Sequence, residues 1–132
     1  MVICIFGNTI VKAGKEDEEA QLVDKLEPVL RSMPGFISWK NYTAEDGEVI
    51  SLIRFDSRES LDAWAHEGLH LQIQKMAPEI YERFWIQDVE TYREYTWERG
   101  VHTDGDLTEL FREPGGRRPK FAAAQRGLGE FR

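Results

Sequence analysis

The sequence predicts an α+β domain with elements in the order β-α-β-β-α-β. Three observations predict it. Apolar residues alternate along Val2–Val11, Phe36–Thr43 and Glu48–Phe55, the period of a strand. They recur every three or four residues from Glu16 to Met33 and again beyond Arg58, the period of a helix. Turn chemistry, "MPG" and "AEDG", separates the periodic segments.

The first strand, Val2 to Val11, is rich in β-branched and aromatic residues. Strict alternation puts Val2, Cys4, Phe6, Asn8 and Ile10 on one face, and Ile3, Ile5, Gly7 and Thr9 on the other. Both faces are mostly apolar, so the strand should be covered on both sides. "KAGKED" is a loop. Leu22, Val23, Leu26, Val29, Leu30 and Met33 then form a helical stripe. Pro28 inside it should bend the helix or start a second segment, and "MPG" ends it. Phe36–Thr43 and Glu48–Phe55 flank "AEDG" as a hairpin. Asp56 and Ser57 are N-cap candidates, with Glu59 and Ser60 placed for a capping box, before a helix from about Arg58 to Glu67. Gly68 interrupts that helix. Leu69, Ile73, Met76, Ile80 and Phe84 mark a further helical stretch, with a break at Pro78. Trp85 to Trp97 reads as one final strand of thirteen residues, roughly 40 Å long, with Trp85, Val89, Tyr95 and Trp97 on one face.

This order gives a four-stranded antiparallel sheet with helices on one face, the ferredoxin-like arrangement. The other face is also apolar, and the simplest cover for it is a second copy of the chain. Residues 1–98 form the domain. Residues 99–132 lose periodicity, with short helical hints at Leu107–Arg112 and Phe121–Gln125. They are expected to pack on a neighbour or to be mobile.

Composition excludes several functions. The chain has 132 residues, 41% apolar and 31% charged, which suits one soluble domain. Net charge is 17 − 24 = −7, and the acidic excess lies in the first 98 residues, an unsuitable surface for nucleic acid. No apolar run is long enough to cross a bilayer, and the apolar N-terminus lacks the basic lead of a signal peptide, so a cytoplasmic location is expected. Cys4 is a single cysteine, which leaves no internal disulfide and no cysteine-based metal site. There is no phosphate-binding glycine loop, nucleophile elbow or H-E-x-x-H pattern.

The stretch "LDAWAHEGLH" holds the densest chemistry. His66 lies about 200° around the helix from Trp64, so it should face water when Trp64 faces the core. Gly68 separates it from His70, so the two imidazoles are not expected to share a metal. His70 stands at a helix start, either as an ordinary surface residue or as a pocket base. Trp64 by its type is a core residue. Asn8 is unusual in an apolar strand. It marks either a bulge or a carboxamide aimed at a ligand. Arg54 interrupts "VISLIRF", either as a surface cation or as a guanidinium for an acidic or phenolate oxygen. Tyr81, Phe84 and Trp85 could roof an apolar cavity or fill it.

"FGNTIVKAG", "LRSMPGFISWKNYTAEDGEVISLIRFDSRESLDAW", the following "LH" and "FWIQDVETYREYTW" together resemble the antibiotic biosynthesis monooxygenase family, across about residues 2–98. The resemblance implies a homodimer whose two sheets close into a dimeric α+β barrel, with a pocket in each subunit between helices and sheet. It implies oxidation of an electron-rich aromatic, of polyketide type, by dioxygen with no cofactor, or in a related branch the binding and degradation of haem. Asn8 and Trp64 match the pocket asparagine and tryptophan. The axial histidine of the haem branch falls beyond His70, where this chain has Ile73, Gln74 and Lys75. Only a shift of register would let His70 serve as that ligand. A barrel that binds a small molecule without catalysis is the third reading.

In the cofactor-free chemistry the implied roles are specific. Trp64 would pack on the substrate ring, Asn8 and Arg54 would hydrogen-bond the developing oxyanion, and His70 would take the proton. Phe6, Tyr81 and Phe84 would line the site.

Overall fold

Strand β1 (Val2–Val11) is an inner strand of a four-stranded antiparallel sheet in the computed structural model, which describes residues 1–113. The expected helical stretch 121–125 lies outside the described residues. After β1 come α1 (Glu16–Ser32), β2 (Phe36–Thr43), β3 (Val49–Phe55), α2 (Arg58–Ala65), α3 (Gly68–Ile80) and β4 (Tyr81–Glu90). The strand order is β2-β3-β1-β4, so the β-α-β-β-α-β reading holds, with its second helix divided at His66–Glu67, just before Gly68. Each half carries its own cap. The Ser57 hydroxyl accepts the Ser60 N–H at 3.1 Å, and the Glu67 carboxylate accepts the His70 N–H at 2.8 Å. Helix α1 runs through Pro28 as one element, and α3 runs through Pro78.

The helices pack on one face of the sheet. Val2, Cys4, Phe36, Ile53 and Phe55 from the strands meet Leu30, Leu61 and Trp64 from the helices in the core. Because side chains alternate, Ile3, Ile5, Leu52, Arg54 and Val89 project from the far face. On that face the Trp85 indole lies across Gly7, where any Cβ would overlap it. The turn into β2 needs a glycine. Gly35 has φ +84°, and a Cβ there would run into Ser60 and Asp56. Gly35→Ala is expected to cost about 1–3 kcal/mol in urea denaturation. A loss below half a kcal/mol would show that the turn relaxes.

α3 is not broken at Pro78 and ends at Ile80, so Phe84 lies on β4 and not on the expected helix. Two further expectations are corrected. First, β1 does not alternate to its end. Gly7 faces Trp85 and Ile10 faces Arg83, so β1 holds one extra residue in between, a bulge. Asn8 sits in it with φ +51°, a left-handed conformation that asparagine tolerates better than most residues. The bulge turns Ile10 to the far face, away from Phe6. Second, Trp85–Trp97 is not one strand. β4 begins at Tyr81 and ends at Glu90, while β5 (Tyr95–Glu98) pairs with β6 (Val101–Asp104) in a separate hairpin. Tyr95 and Trp97 therefore do not share a face with Trp85 and Val89.

The short helix α4 (Thr108–Phe111) follows, close to the hint at Leu107–Arg112. From there the chain straps the edge strand β2. Phe111 lies on the far face over Arg54, the Glu113 N–H donates to the Ile37 carbonyl at 2.9 Å, and the Glu113 carboxylate reaches Arg31 of α1. The part of the extension inside the described residues thus packs on the chain's own sheet and covers an edge that would otherwise be open to pairing. Among the described residues no helix is long and apolar enough to cross a membrane.

Candidate functional site

Two clusters on the helix side gather five of the seven candidate residues. Phe6 on β1 and Phe84 on β4 stack at 5.3 Å, and Tyr81 meets their edges at 6.2 and 5.6 Å. The register explains it: Phe6 pairs with Ile86, so Phe84 is its diagonal neighbour on the same face. This face of β4 is only partly covered. Phe84 stays 39% and Ile86 51% exposed, forming an aromatic shelf beside the helices. The Tyr81 hydroxyl donates to Glu19 of α1 at 3.0 Å. Burial first and Glu19 second hold its phenol well above the usual range, so it stays protonated.

The second cluster joins α2 to α3. The His70 ring stacks on the Trp64 indole, centroids 4.0 Å apart and planes 16° apart. His70 Nδ1 lies 2.8 Å from the Trp64 carbonyl oxygen. A carbonyl can only accept, so Nδ1 carries the proton and Nε2 is left with a lone pair in the neutral ring. Burial is the main cause that lowers the His70 pKa, and the Trp64 carbonyl and Glu67 oppose it. The Gln74 amide nitrogen is 3.4 and 3.5 Å from the two ring nitrogens and donates to the Ala65 carbonyl at 3.0 Å. It stands nearly equidistant from both and within reach of the Nε2 lone pair. The result is a half-buried imidazole, fixed in one tautomer.

Trp64 itself is 4% exposed and belongs to the core. One face of the ring is taken by His70, so the indole supports the imidazole. Asn8 lies two residues beyond Phe6, half-buried in the bulge, and its carboxamide makes no hydrogen bond among the described residues. Of the two sequence readings of Asn8, the bulge is the one the register shows. Arg54 is not brought to this site. It lies between Ile53 and Phe55, both in the core, and so projects from the opposite face of the sheet. His66 is exposed, its Nδ1 2.8 Å from the Asp62 carbonyl. Cys4 is buried beside Asp88, and burial foremost pushes its thiol up to about 12, out of nucleophilic range.

The sequence reading missed Gln74 and Glu19. The four-residue spacing of His70 and Gln74 on one helix was the available signal for the first. Glu19 and Tyr81 are 62 residues apart, and no local pattern joins them. Among the described residues, no group of three or more His, Cys, Asp or Glu side chains could hold a metal ion.

The family model described as antibiotic biosynthesis monooxygenase matches residues 1–76. No curated protein matches the chain in sequence. Solved structures do match in fold. Rv0793 from Mycobacterium tuberculosis superposes with a TM-score of 0.60 at 19% identity, covering 71% of this chain and 98% of that one. A candidate antibiotic biosynthesis monooxygenase from Deinococcus radiodurans gives 0.59 at 14% identity, covering 69% and 92%. A second such candidate, from Nitrosomonas europaea, gives 0.58 at 13% identity, covering 70% and 99%. At these identities the likeness shows the shared fold.

Proposed function

Because the chain belongs to the antibiotic biosynthesis monooxygenase family, we propose that it oxidises a small electron-rich aromatic, of polyketide type, with dioxygen and without a bound cofactor. One observation carries this reading: the His70 imidazole, locked by the Trp64 carbonyl with Nε2 unprotonated and its pKa lowered, is a base already in its active form at neutral pH. The aromatic shelf of Phe6, Tyr81 and Phe84 is the apolar surface such a substrate needs. A second copy of the chain on the far face of the sheet, and a cytoplasmic location, belong to the same proposal.

The chemistry follows from an anthrone. His70 Nε2 takes a proton from the ring methylene and leaves a carbanion conjugated to the carbonyl. The negative charge rests on the carbonyl oxygen, to which the Asn8 amide donates a hydrogen bond. The anion gives one electron to dioxygen, and the resulting radical and superoxide combine into a peroxide. His70 returns its proton to the outer peroxide oxygen, which leaves as water once the last ring hydrogen departs as a proton. The ring gains one oxygen atom as a second carbonyl, and the other atom of dioxygen ends in water. Trp64 is a positioning residue: it orients the imidazole and selects the tautomer.

An oxygen electrode with an anthrone tests this. Uptake above the rate without protein is expected, with kcat/KM flat above pH 6.5. It should fall about tenfold per pH unit below the lowered His70 pKa, because protonation of Nε2 removes the base. A profile that rises through pH 8 would assign the base elsewhere.

The rival reading, haem binding, would use the same Nε2, whose unprotonated state could hold the iron. Haem would supply oxygen activation at its iron, with His70 as the holding residue. Haemin titration separates the two. Under the cofactor-free reading no Soret shift depends on His70, and a shift lost in His70→Ala would reverse the choice.

A further inference from the structure

We propose, resting on His70 as the base, that Glu67 is a second positioning residue for it. Glu67 anchors the His70 backbone at the junction of α2 and α3, and it supplies the negative charge that supports the imidazolium during proton transfer.

The junction carries the inference. Helix α2 ends at Ala65 and α3 begins at Gly68, with Glu67 between them as the N-cap of α3. The Glu67 carboxylate accepts the His70 N–H at 2.8 Å, so it holds the third residue of the helix. The Glu67 N–H donates to the Trp64 carbonyl at 3.2 Å, the same oxygen that accepts the His70 Nδ1–H at 2.8 Å. Glu67 therefore grips both the backbone that carries the imidazole and the acceptor that selects its tautomer.

Capping alone does not call for a glutamate. The favoured N-caps are Ser, Thr, Asp and Asn, and α2 uses Ser57 in that place. A glutamate adds a charge, and the charge has work here. His70 stands in the first turn of α3, where the positive end of the helix disfavours a second positive charge. From α2 the ring meets the Trp64 indole and carbonyl, and from α3 the Gln74 amide, none of which titrates near neutral pH. Glu67, half-buried, is the charged group that acts on the ring. Burial is the first cause that lowers the His70 pKa, and the Trp64 carbonyl and then Glu67 oppose it. In a Ser-His-Asp triad one carboxylate both orients the imidazole through Nδ1 and stabilises the imidazolium. Here the two tasks are divided: the Trp64 carbonyl orients, and the Glu67 carboxylate stabilises.

Glu67→Gln keeps an acceptor for the His70 N–H and removes the charge. Proton NMR follows the His70 ring through a pH titration of the full chain without substrate, its resonance assigned by its loss in His70→Ala. The His70 midpoint is expected about half a pH unit lower in Glu67→Gln than in the wild type, because the imidazolium loses its counter-charge. Glu67→Asp, which keeps the charge, should return the midpoint toward the wild-type value. Glu67→Ser, a favoured cap without charge, should show the same fall as Glu67→Gln, so the test does not hang on one variant folding. With an anthrone, the acid limb of kcat/KM should move down by the same amount, and the plateau should drop by no more than about threefold. Equal midpoints in the wild type, Glu67→Gln and Glu67→Ser would overturn the proposal and leave Glu67 as a cap. A midpoint that falls while the acid limb stays in place would instead break the reading of His70 as the base, with the coupling between Glu67 and His70 intact.

Discussion

Arg31→Ala is expected to destabilise the fold by about 3–5 kcal/mol, roughly 12–20 °C in Tm for a chain of this size. The Arg31 side chain is 1% exposed and bridges two carboxylates, Glu27 at 3.1 Å and Glu113. Its guanidinium also lies 5.5 Å from the Phe36 ring centroid and 5.9 Å from that of Trp39. Removing it takes the shared cation from two partly buried carboxylates, and breaking such a pair costs more than an intact pair contributes. It also releases the C-terminal strap. Glu113 holds the strap to β2 through the Trp39 N–H at 3.3 Å as well as through the Ile37 carbonyl. Hydrogen exchange at the Trp39 amide should therefore quicken in the variant before global unfolding does. Urea denaturation with a loss under 1 kcal/mol would mean that the carboxylates find water, and that the strap is not a structural tie.

His70→Ala should lower kcat/KM for an anthrone by about 10²–10⁴-fold, the usual worth of a positioned general base. Its effect on folding should be much smaller, since the ring is half-buried and its partners, a backbone carbonyl and an indole face, can be solvated. His70→Gln is the sharper variant. It keeps a hydrogen-bond donor for the Trp64 carbonyl and much of the contact with the indole, but no group that can take a proton near pH 7. The Gln variant should fold like the wild type and still lose the activity. Full activity in His70→Gln would remove the imidazole from the chemistry and leave the aromatic shelf without a base.

Much of the fold was legible because periodicity reports which face of each element is buried. The stripe from Leu22 to Met33, the alternation of β2 and β3, and Ser57 as a cap all read correctly. What failed did so for local reasons. The Asn8 bulge breaks alternation through one backbone angle, so Ile10 was assigned to the wrong face. The strand after Trp85 looked continuous because Tyr95 and Trp97 are as strand-prone as Trp85 and Val89. Only pairing partners, which sequence does not display, separate β4 from the β5–β6 hairpin. The site was half legible. Phe6, Tyr81 and Phe84 meet, and Trp64 meets His70, contacts that neither residue type nor spacing displays. Trp85, grouped with Tyr81 and Phe84 in the sequence, faces Gly7 on the other side. Arg54 was grouped with them on chemistry alone, yet its place between Ile53 and Phe55 already put it on the other face. The Arg31–Glu113 tie spans 82 residues, and no local rule finds it.

The most direct measurement follows oxygen itself. Anthrone is turned over under isotopically heavy dioxygen, and product and water are examined by mass spectrometry, for wild type and His70→Gln side by side. One heavy atom in the new carbonyl and its twin in water, formed at a rate that the glutamine variant loses, is the expected result. Product formed equally fast by the variant, or carrying oxygen drawn from the solvent, would contradict it.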